Sequence, residues 1–567
     1  MNFAGGRDPG ERGSPGDLWL WRRSMTDPGD VPGDLRYVAA LLPPRREEAG
    51  TGFLGTQHSD VIPVKESDND KVGWRKLGMF VRGGLFVPTV LFLALSLAVA
   101  PAAERIASGQ RVSLTITRVI PGHHDVTIEW LRPETTVDVS DMRYRVAAKF
   151  RTASWDDAKT TIVRGDRTSA ALTGLLNNAD YAVRVVAETL GTSKLMGTSE
   201  ERLVTPGAIP GVVIDYLHKD DRAYGEKGQY IGSPSIARLD DGRLVASHDV
   251  FGRGGTKDYS RIFRSDDQGR SWYHVADVHE AFWGKLFVHN GELCLLACSR
   301  QYGDIVLHRS ADGGEMWARP VVLASGRYHK APVPVVRHRG RLWTCVELQT
   351  GGWPAGFQAV VLSAPADADV SKPENWTVSK PLPCDPAWLP KGWDLPRGKH
   401  GFLEGNAVVN PQGNLLNILR YHVSPHFRKA VVLTIAPDGK SLSFNRLIDF
   451  YGGMTKFTIR RNPETGMYWS LVNRVTRPEK PGMRNVLTLV SSPNLDDWTA
   501  VRDILRDDRE TAPEYVGFQY IDWLFDGDDI ILVSRTAYNG AHNFHDANHL
   551  TFHRVKNFAR APRWVGP

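Results

Sequence analysis

The sequence predicts an all-β protein, a small β-sandwich followed by a six-bladed β-propeller. Three observations carry this. The phrase "RSDDQGRSW", Arg264 to Trp272, returns 45 residues later as "RSADGGEMW", Arg309 to Trp317. Six later segments repeat one strand–turn–strand grammar. Upstream of them, a stretch of about one hundred residues alternates in the manner of half-buried strands. The 567 residues are too many for one ordinary domain, and Gly (54), Pro (35) and Trp (17) suit a chain with many turns.

The sandwich is expected over 110–206. "VTIEWLRP" places Trp130 on a strand, "RYRVAAKF" follows, and "LTGLLNNADYAVRVVAET" supplies Leu172, Leu175 and Tyr181 before the segment closes on "TPG". This Leu-x-x-Leu-x5-Tyr spacing resembles the tyrosine-corner region of fibronectin type III domains. The resemblance covers the whole segment and implies a spacer or docking module.

The propeller is expected over 215–556. Its units are "GSPSIARLDDGRLVASHD" from Gly232, "GKLFVHNGELCLLACSR" from Gly284, "KAPVPVVRHRGRLWTCVE" from Lys330, "EGNAVVNPQGNLLNILR" from Glu404, "TKFTIRRNPETGMYWSLVNR" from Thr455 and "IDWLFDGDDIILVSR" from Ile521. Their spacing of 46 to 74 residues suits four-stranded blades. The phrase Ser-x-Asp-x-Gly-x-x-Trp falls at the turn between third and fourth strands. Short Ser and Asp side chains bond turn backbone there, and Gly supplies a positive φ. Worn copies stand at "KPENW" (Trp376) and "SPNLDDW" (Trp498). "HLTFHRVKNF" and the early "GVVIDYLH" are expected to close the ring by sharing one blade.

These phrases resemble the Asp boxes of the sialidase superfamily. The resemblance covers about 340 residues and implies a propeller fold. It assigns the boxes a structural role on the rim.

Residues 79–103, "MFVRGGLFVPTVLFLALSLAVAPAA", have the form of a secretory signal peptide with cleavage near Ala102 or Ala103. The apolar run is short for a membrane span. The chain is therefore expected to be secreted or periplasmic, without stable membrane insertion. Residues 1–78 are rich in Gly, Pro and charge and lack periodicity. They are expected to be a disordered or non-native extension ahead of a natural start at Met79.

The net charge of +6 permits an anionic ligand without demanding one. No basic run alternates with aromatics, which argues against nucleic acid. The four cysteines, Cys294, Cys298, Cys345 and Cys384, make no disulfide framework and read as small buried hydrophobes. No cofactor and no metal is expected, and the chain is expected to act as a monomer.

In a propeller, the start of each innermost strand and the exit of the second strand open on one face. Strand starts offer Gly232, Trp283, Lys285, His329, Lys330, Glu404, Asn406, Lys456 and Tyr520. Second-strand exits offer His248, Asp249, Arg300, Glu347, Arg420, Arg474 and Arg535. Four exits end in Arg, and clustered guanidiniums repel unless an anion joins them. An acidic sugar is therefore the expected ligand. Arg300, His329, Lys330, Glu347, Asn406, Arg420, Lys456, Arg474 and Arg535 are expected to bind it.

The sialidase resemblance implies an arginine triad for the substrate carboxylate, a Tyr nucleophile with a Glu partner, and an Asp acid. The chain departs from it in "YIGSPS", where Gly232, Ser233 and Pro234 stand in place of Arg-Ile-Pro. Asp249 is a candidate acid, and His248 beside it is the better proton carrier near neutral pH. Glu404, the only carboxylate at a first-strand start, is a candidate proton acceptor or clamp for a sugar hydroxyl beside Asn406. Tyr538, three residues after Arg535 in the densely polar "SRTAYNGAHNFHDANH", is the candidate nucleophile, with a ligand-stacking tyrosine as the alternative. His542, His545 and His549 are spaced too loosely to favour a metal over loop packing. The expected function is a sialidase-like glycoside hydrolase acting on terminal acidic sugars. "ASHD" also resembles propellers that act on rhamnosyl-glucuronate caps by lyase or rhamnosidase chemistry through a histidine, here His248. A noncatalytic glycan-binding propeller is the third reading.

Overall fold

The computed structural model describes residues 111–393, 395, 398–507 and 512–560. The expected N-terminal extension 1–78 and signal segment 79–103 lie outside the described residues. The described residues form antiparallel sheets joined by turns and short 3-10 segments. Among them, no helix is long and apolar enough to cross a membrane.

Two sheets form an N-terminal sandwich. One pairs Ile116–Gly122, Asp125–Trp130 and Ser169–Thr173. The other is built on Met142–Phe150 and Tyr181–Thr189, which pair with each other and with shorter flanking strands. Their inward side chains share one core containing Trp130, Tyr144, Leu172, Leu175 and Tyr181. The Leu176 N–H donates to the Tyr181 Oη at 3.0 Å, so the tyrosine pins the backbone just upstream of its own strand.

Six further sheets follow in chain order. Their first strands are Ser235–Arg238, Phe282–His289, the pair Tyr328–His329 and Val336–His338, Gly401–Val409, Thr458–Arg461 and Gly517–Asp526. Each hydrogen-bonds to a second strand, and the sheet continues outward to a third and fourth. The hairpins turn where the sequence supplies positive φ. At "HNGE", Asn290 and Gly291 have φ of 50° and 79°, the pattern of a two-residue turn matched to strand twist. The last sheet takes its fourth strand from Val212–Tyr216, with His549 opposite Tyr216 and Leu550 opposite Asp215. The chain thus closes on itself as its two end segments predict.

The hydrophobic cores lie between sheets. Ala237, Val245 and Ile262 of the first pack on Leu286, Leu295 and Val306 of the second. Equivalent clusters join each later pair. A final cluster brings Ile531, Val533 and Leu550 of the sixth against Ile236, Leu244 and Phe263 of the first. Each sheet is therefore buried on both faces, and the first strands meet around a common axis. This is a β-propeller, and its strands read as near-continuous apolar runs because both faces are covered.

The repeated phrases are the rim turns expected of them. Ser265 Oγ accepts from Gly269 N at 2.8 Å, Asp267 Oδ1 accepts from Ser271 N at 2.8 Å, and Trp272 Nε1 donates to Gly269 O at 3.3 Å. The second copy repeats this with Ser310, Gly314 and Trp317. In the worn copy, Leu495 holds the glycine's place at φ 75°, and Trp498 still donates to its carbonyl at 2.9 Å.

The sandwich is more than a loosely tethered spacer. Buried Arg118 donates to Ile214 O at 2.8 Å and to Trp272 O while pairing with Glu129 at 2.7 Å. Buried Arg261 of the first sheet donates to Thr117 O at 2.7 Å and pairs with Asp215 at 2.6 Å. A guanidinium enclosed in this way must be bonded on most of its N–H groups, so the seam is fixed.

Candidate functional site

The first strands of the second, fourth and sixth sheets share one irregularity. Each inserts an extra residue against its partner, between Phe282 and Lys285, Leu403 and Asn406, and Gln519 and Asp522. Each bulge puts a non-glycine residue into the left-handed region: Trp283 at φ 59°, Glu404 at 60° and Tyr520 at 53°. Such backbone costs on the order of 1–3 kcal/mol apiece and persists where the fold over-determines it. Bulges re-aim side chains, and here the same re-aiming occurs in alternate sheets around one axis. The glycine of "EGN" is required, because a Cβ on Gly405 would meet Asn417 Oδ1 at 2.1 Å.

Two of these bulge residues meet. Tyr520 Oη donates to Glu404 Oε1 at 3.0 Å. Arg420 Nε lies 2.5 Å from Glu404 Oε2, an ion pair without aligned hydrogen-bond geometry, while its Nη1 donates to Met454 O at 2.8 Å. Arg484 and Arg535 stand over the Tyr520 ring at 5.3 and 5.0 Å. Arg535 is further held by His545 O at 2.7 Å and by the Tyr230 ring at 5.1 Å. Arg484 donates to Gln519 Oε1. Burial pushes the Tyr520 phenol up, Glu404 adds to the rise, and the three guanidiniums oppose it. Burial, with Arg535 and Arg420 nearby, pulls Arg484 down to about 10. Three guanidiniums thus gather around a single carboxylate, an arrangement that an anion relieves.

The axis below is packed with buried amines. Asp522 accepts from Lys285 Nζ, from Ser235 Oγ at 3.0 Å and from Ile236 N at 2.9 Å. Lys456 Nζ donates to Thr458 Oγ1 at 2.7 Å and Ile521 O at 2.6 Å, and Lys330 Nζ donates to Ala331 O at 3.1 Å. Burial lowers Lys285 and Lys330 to about 8 and Lys456 to about 7.

Several expected site residues are placed elsewhere. His248 is fully enclosed, with Nε2 2.8 Å from Asp215 Oδ2 and Nδ1 2.8 Å from Asp249 O. Both ring nitrogens are committed to protein, so it offers no proton to a ligand. Asp249 is equally enclosed, accepting from Ser260 Oγ at 2.8 Å and Ser233 N at 3.3 Å, and burial raises it to about 6. Lys330, Lys456 and Asn406 are internal struts; Asn406 bridges Phe457 O at 3.2 Å and Ile459 N at 3.1 Å. Glu347 is buried behind His329, at 2.8 Å from its Nδ1.

Only two of the four exit arginines converge. Arg420 pairs with Leu403 and Arg535 with Gln519, each directly before a bulge. The equivalent position of the second sheet is Cys298, opposite Phe282. Arg300 lies two residues further on, exposed in the turn. Arg474 follows Asn473, whose amide bonds Phe518 O at 2.7 Å, so strand alternation sends Arg474 to the other face, where Asp503 pairs with it at 2.9 Å.

Tyr538 is half-buried, packing against the core between the fifth and sixth sheets, and the tyrosine beside Glu404 is Tyr520. The strand register had already put Tyr520 at this face, whereas the polar density around Tyr538 reflects loop packing. His545 bonds Arg535 and Asp546, and His549 is buried beside Asn548. Arg484 was missed because it sits in "PGMRNV", ahead of a third strand, where the strand grammar assigns no site position.

No family model matches the chain, and no curated protein matches it. Solved structures do. The chain is similar to Hadza microbial sialidase Hz136 at 12% identity, covering 78% of this chain and 99% of that one with a TM-score of 0.43. It is similar to an α-L-arabinanase of Penicillium chrysogenum complexed with arabinobiose at 16% identity, covering 63% and 100% with a TM-score of 0.41. Trypanosoma rangeli sialidase in complex with the inhibitor DANA matches at 14% identity, covering 61% and 59% with a TM-score of 0.41.

Proposed function

We propose that the chain is a sialidase-like glycoside hydrolase that removes a terminal acidic sugar. In this reading, the six sheets are the six blades of the propeller and the sandwich is fibronectin type III-like. The observation that carries it is the Tyr520–Glu404 hydrogen bond of 3.0 Å beneath Arg420, Arg484 and Arg535. The arginines hold the sugar's carboxylate. Glu404 takes the phenolic proton as Tyr520 Oη attacks the anomeric carbon. A neutral nucleophile avoids setting a second carboxylate against the substrate's own charge. Arg535 supplies a third guanidinium beside Arg420 and Arg484 in a chain that lacks the Arg-Ile-Pro arginine.

The test is a panel of glycans ending in sialic or hexuronic acids, with product analysis. Release of the free acidic sugar supports the reading. A 4,5-unsaturated uronate product would select lyase chemistry instead, and binding without turnover would select a noncatalytic propeller. Secretion after cleavage near Ala102 or Ala103 is part of the same proposal, tested by N-terminal sequencing of the exported protein.

A further inference from the structure

The Tyr520–Glu404 pair supplies a nucleophile and its base, yet a glycosidic oxygen also needs a proton as it leaves. The two acids expected from the sequence, His248 and Asp249, are enclosed and bonded to protein, His248 to Asp215 of the last sheet and Asp249 to Ser260 of the first. A different group is built for the task. His329 ends the short strand Tyr328–His329 of the third sheet, directly opposite Glu347. Its Nδ1 lies 2.8 Å from Glu347 Oε2. A carboxylate only accepts, so Nδ1 carries the hydrogen and Nε2 is the atom turned away from Glu347.

Glu347 does a second thing. Its Oε1 accepts from Gly405 N at 3.1 Å, the peptide next to Glu404 in the bulge. One buried carboxylate therefore fixes both the imidazole and the backbone that presents Glu404. The ring plane is set by Trp283, edge-on at 4.6 Å, and Phe357 at 5.2 Å. Trp283 occupies the bulge position that Glu404 and Tyr520 occupy in their own sheets. Tyr302 extends this wall, 5.2 Å from Trp283, and the Tyr520 hydroxyl adds to the upward push that burial gives its phenol.

We propose that His329, oriented by Glu347, is the general acid and base at the glycosidic oxygen. The inference rests on the Tyr520 reading above. In the first step, the bond from Tyr520 Oη to the anomeric carbon forms as the glycosidic C–O bond breaks. His329 starts as the imidazolium with hydrogen on both ring nitrogens, and its Nε2–H passes its proton to the departing oxygen, which leaves as an alcohol while His329 becomes neutral and keeps Nδ1–H on Glu347; Glu404 takes the phenolic proton. In the second step, neutral His329 takes a proton from water, the water oxygen bonds the anomeric carbon, and Tyr520 leaves and recovers its proton from Glu404. Glu347 is a positioning residue.

The experiment compares two glycosides of one acidic sugar, a nitrophenyl glycoside and an oligosaccharide whose leaving group is a sugar alcohol. Nitrophenolate departs without a proton, so only the oligosaccharide needs the acid. His329→Ala and His329→Gln are expected to lose about 10²–10⁴-fold in kcat on the oligosaccharide and at most a few-fold in the first step on the nitrophenyl glycoside. Glu347→Gln should show a weaker form of the same selective loss. Equal losses on both glycosides, or none, in variants with unchanged melting temperature overturn the role of His329. Tyr520→Phe separates the two claims: if it retains turnover of both glycosides, the nucleophile reading fails. Wild-type protein that turns over neither glycoside overturns both.

Discussion

Tyr520 Oη donates to Glu404 Oε1 at 3.0 Å, although the two residues are separated by 116 positions and belong to different sheets. Both sit at a positive φ on equivalent bulges, so the contact is made by strained backbone on both sides. Glu404→Gln is expected to lower kcat by about 10²–10⁴-fold, because the amide cannot take the phenolic proton. A fluorinated inactivator of the matching acidic sugar should label Tyr520, read by peptide mass spectrometry. Label on another residue would remove Tyr520 from the nucleophile's role.

The arginines should divide by position. Arg484→Ala and Arg535→Ala should each weaken binding of an acidic sugar by about 1.5–3 kcal/mol, the range for hydrogen bonds to charged groups. Arg300→Ala and Arg474→Ala should leave affinity within a few-fold, since one is exposed in a turn and the other is paired with Asp503 at 2.9 Å. Calorimetric titration with the released sugar checks all four. An equal effect from Arg474→Ala would show that the register assigned to the fifth sheet is wrong.

His248 should matter to stability and not to chemistry. Its replacement by Ala leaves the fully buried Asp215 without a bond of 2.8 Å, at a cost of about 1–3 kcal/mol. Denaturant unfolding should record the loss, with kcat of the folded fraction unchanged. A large fall in kcat at unaltered stability would return the histidine to the mechanism.

The Asp boxes should behave as struts. Asp267→Ala removes acceptors for Ser271 N and Ser271 Oγ at 2.8 and 2.6 Å and should lower stability by about 1 kcal/mol. Activity per folded molecule should not change, because the turn lies on the rim between third and fourth strands.

Stability should rise with pH above neutrality. Burial depresses Lys456 to about 7 in the folded protein, below its ordinary value of about 10.4 in the unfolded chain. Between these values the unfolded state binds more protons, so raising the pH favours folding, and the gain is lost as pH falls toward 7. Urea midpoints for wild type and Lys456→Met at pH 7 and pH 9 check this. The wild type should gain stability between the two, and the variant should gain less.

The sequence by itself determined the propeller, its six strand pairs, the rim turns and the shared closing sheet. Most of these are local, because a period of two, a turn residue or a repeated phrase records itself within a few positions; the closing sheet joins two such strands from opposite ends of the propeller segment. It also brought Glu404, Arg420, Arg535, His329 and Tyr520 to one face, because strand starts and second-strand exits open on the same side. Only the tertiary structure decided which of the expected residues come together there. Arg420 and Arg535 sit directly opposite the residue before a bulge, whereas in the second sheet Cys298 holds that position and Arg300 falls two residues further on, in the turn. Enclosure by neighbouring sheets turns His248, Asp249, Lys330 and Lys456 into internal supports. Arg484 reaches Tyr520 from outside the repeat altogether, and its place is set by how the fifth and sixth sheets pack, a long-range relation that no local pattern encodes.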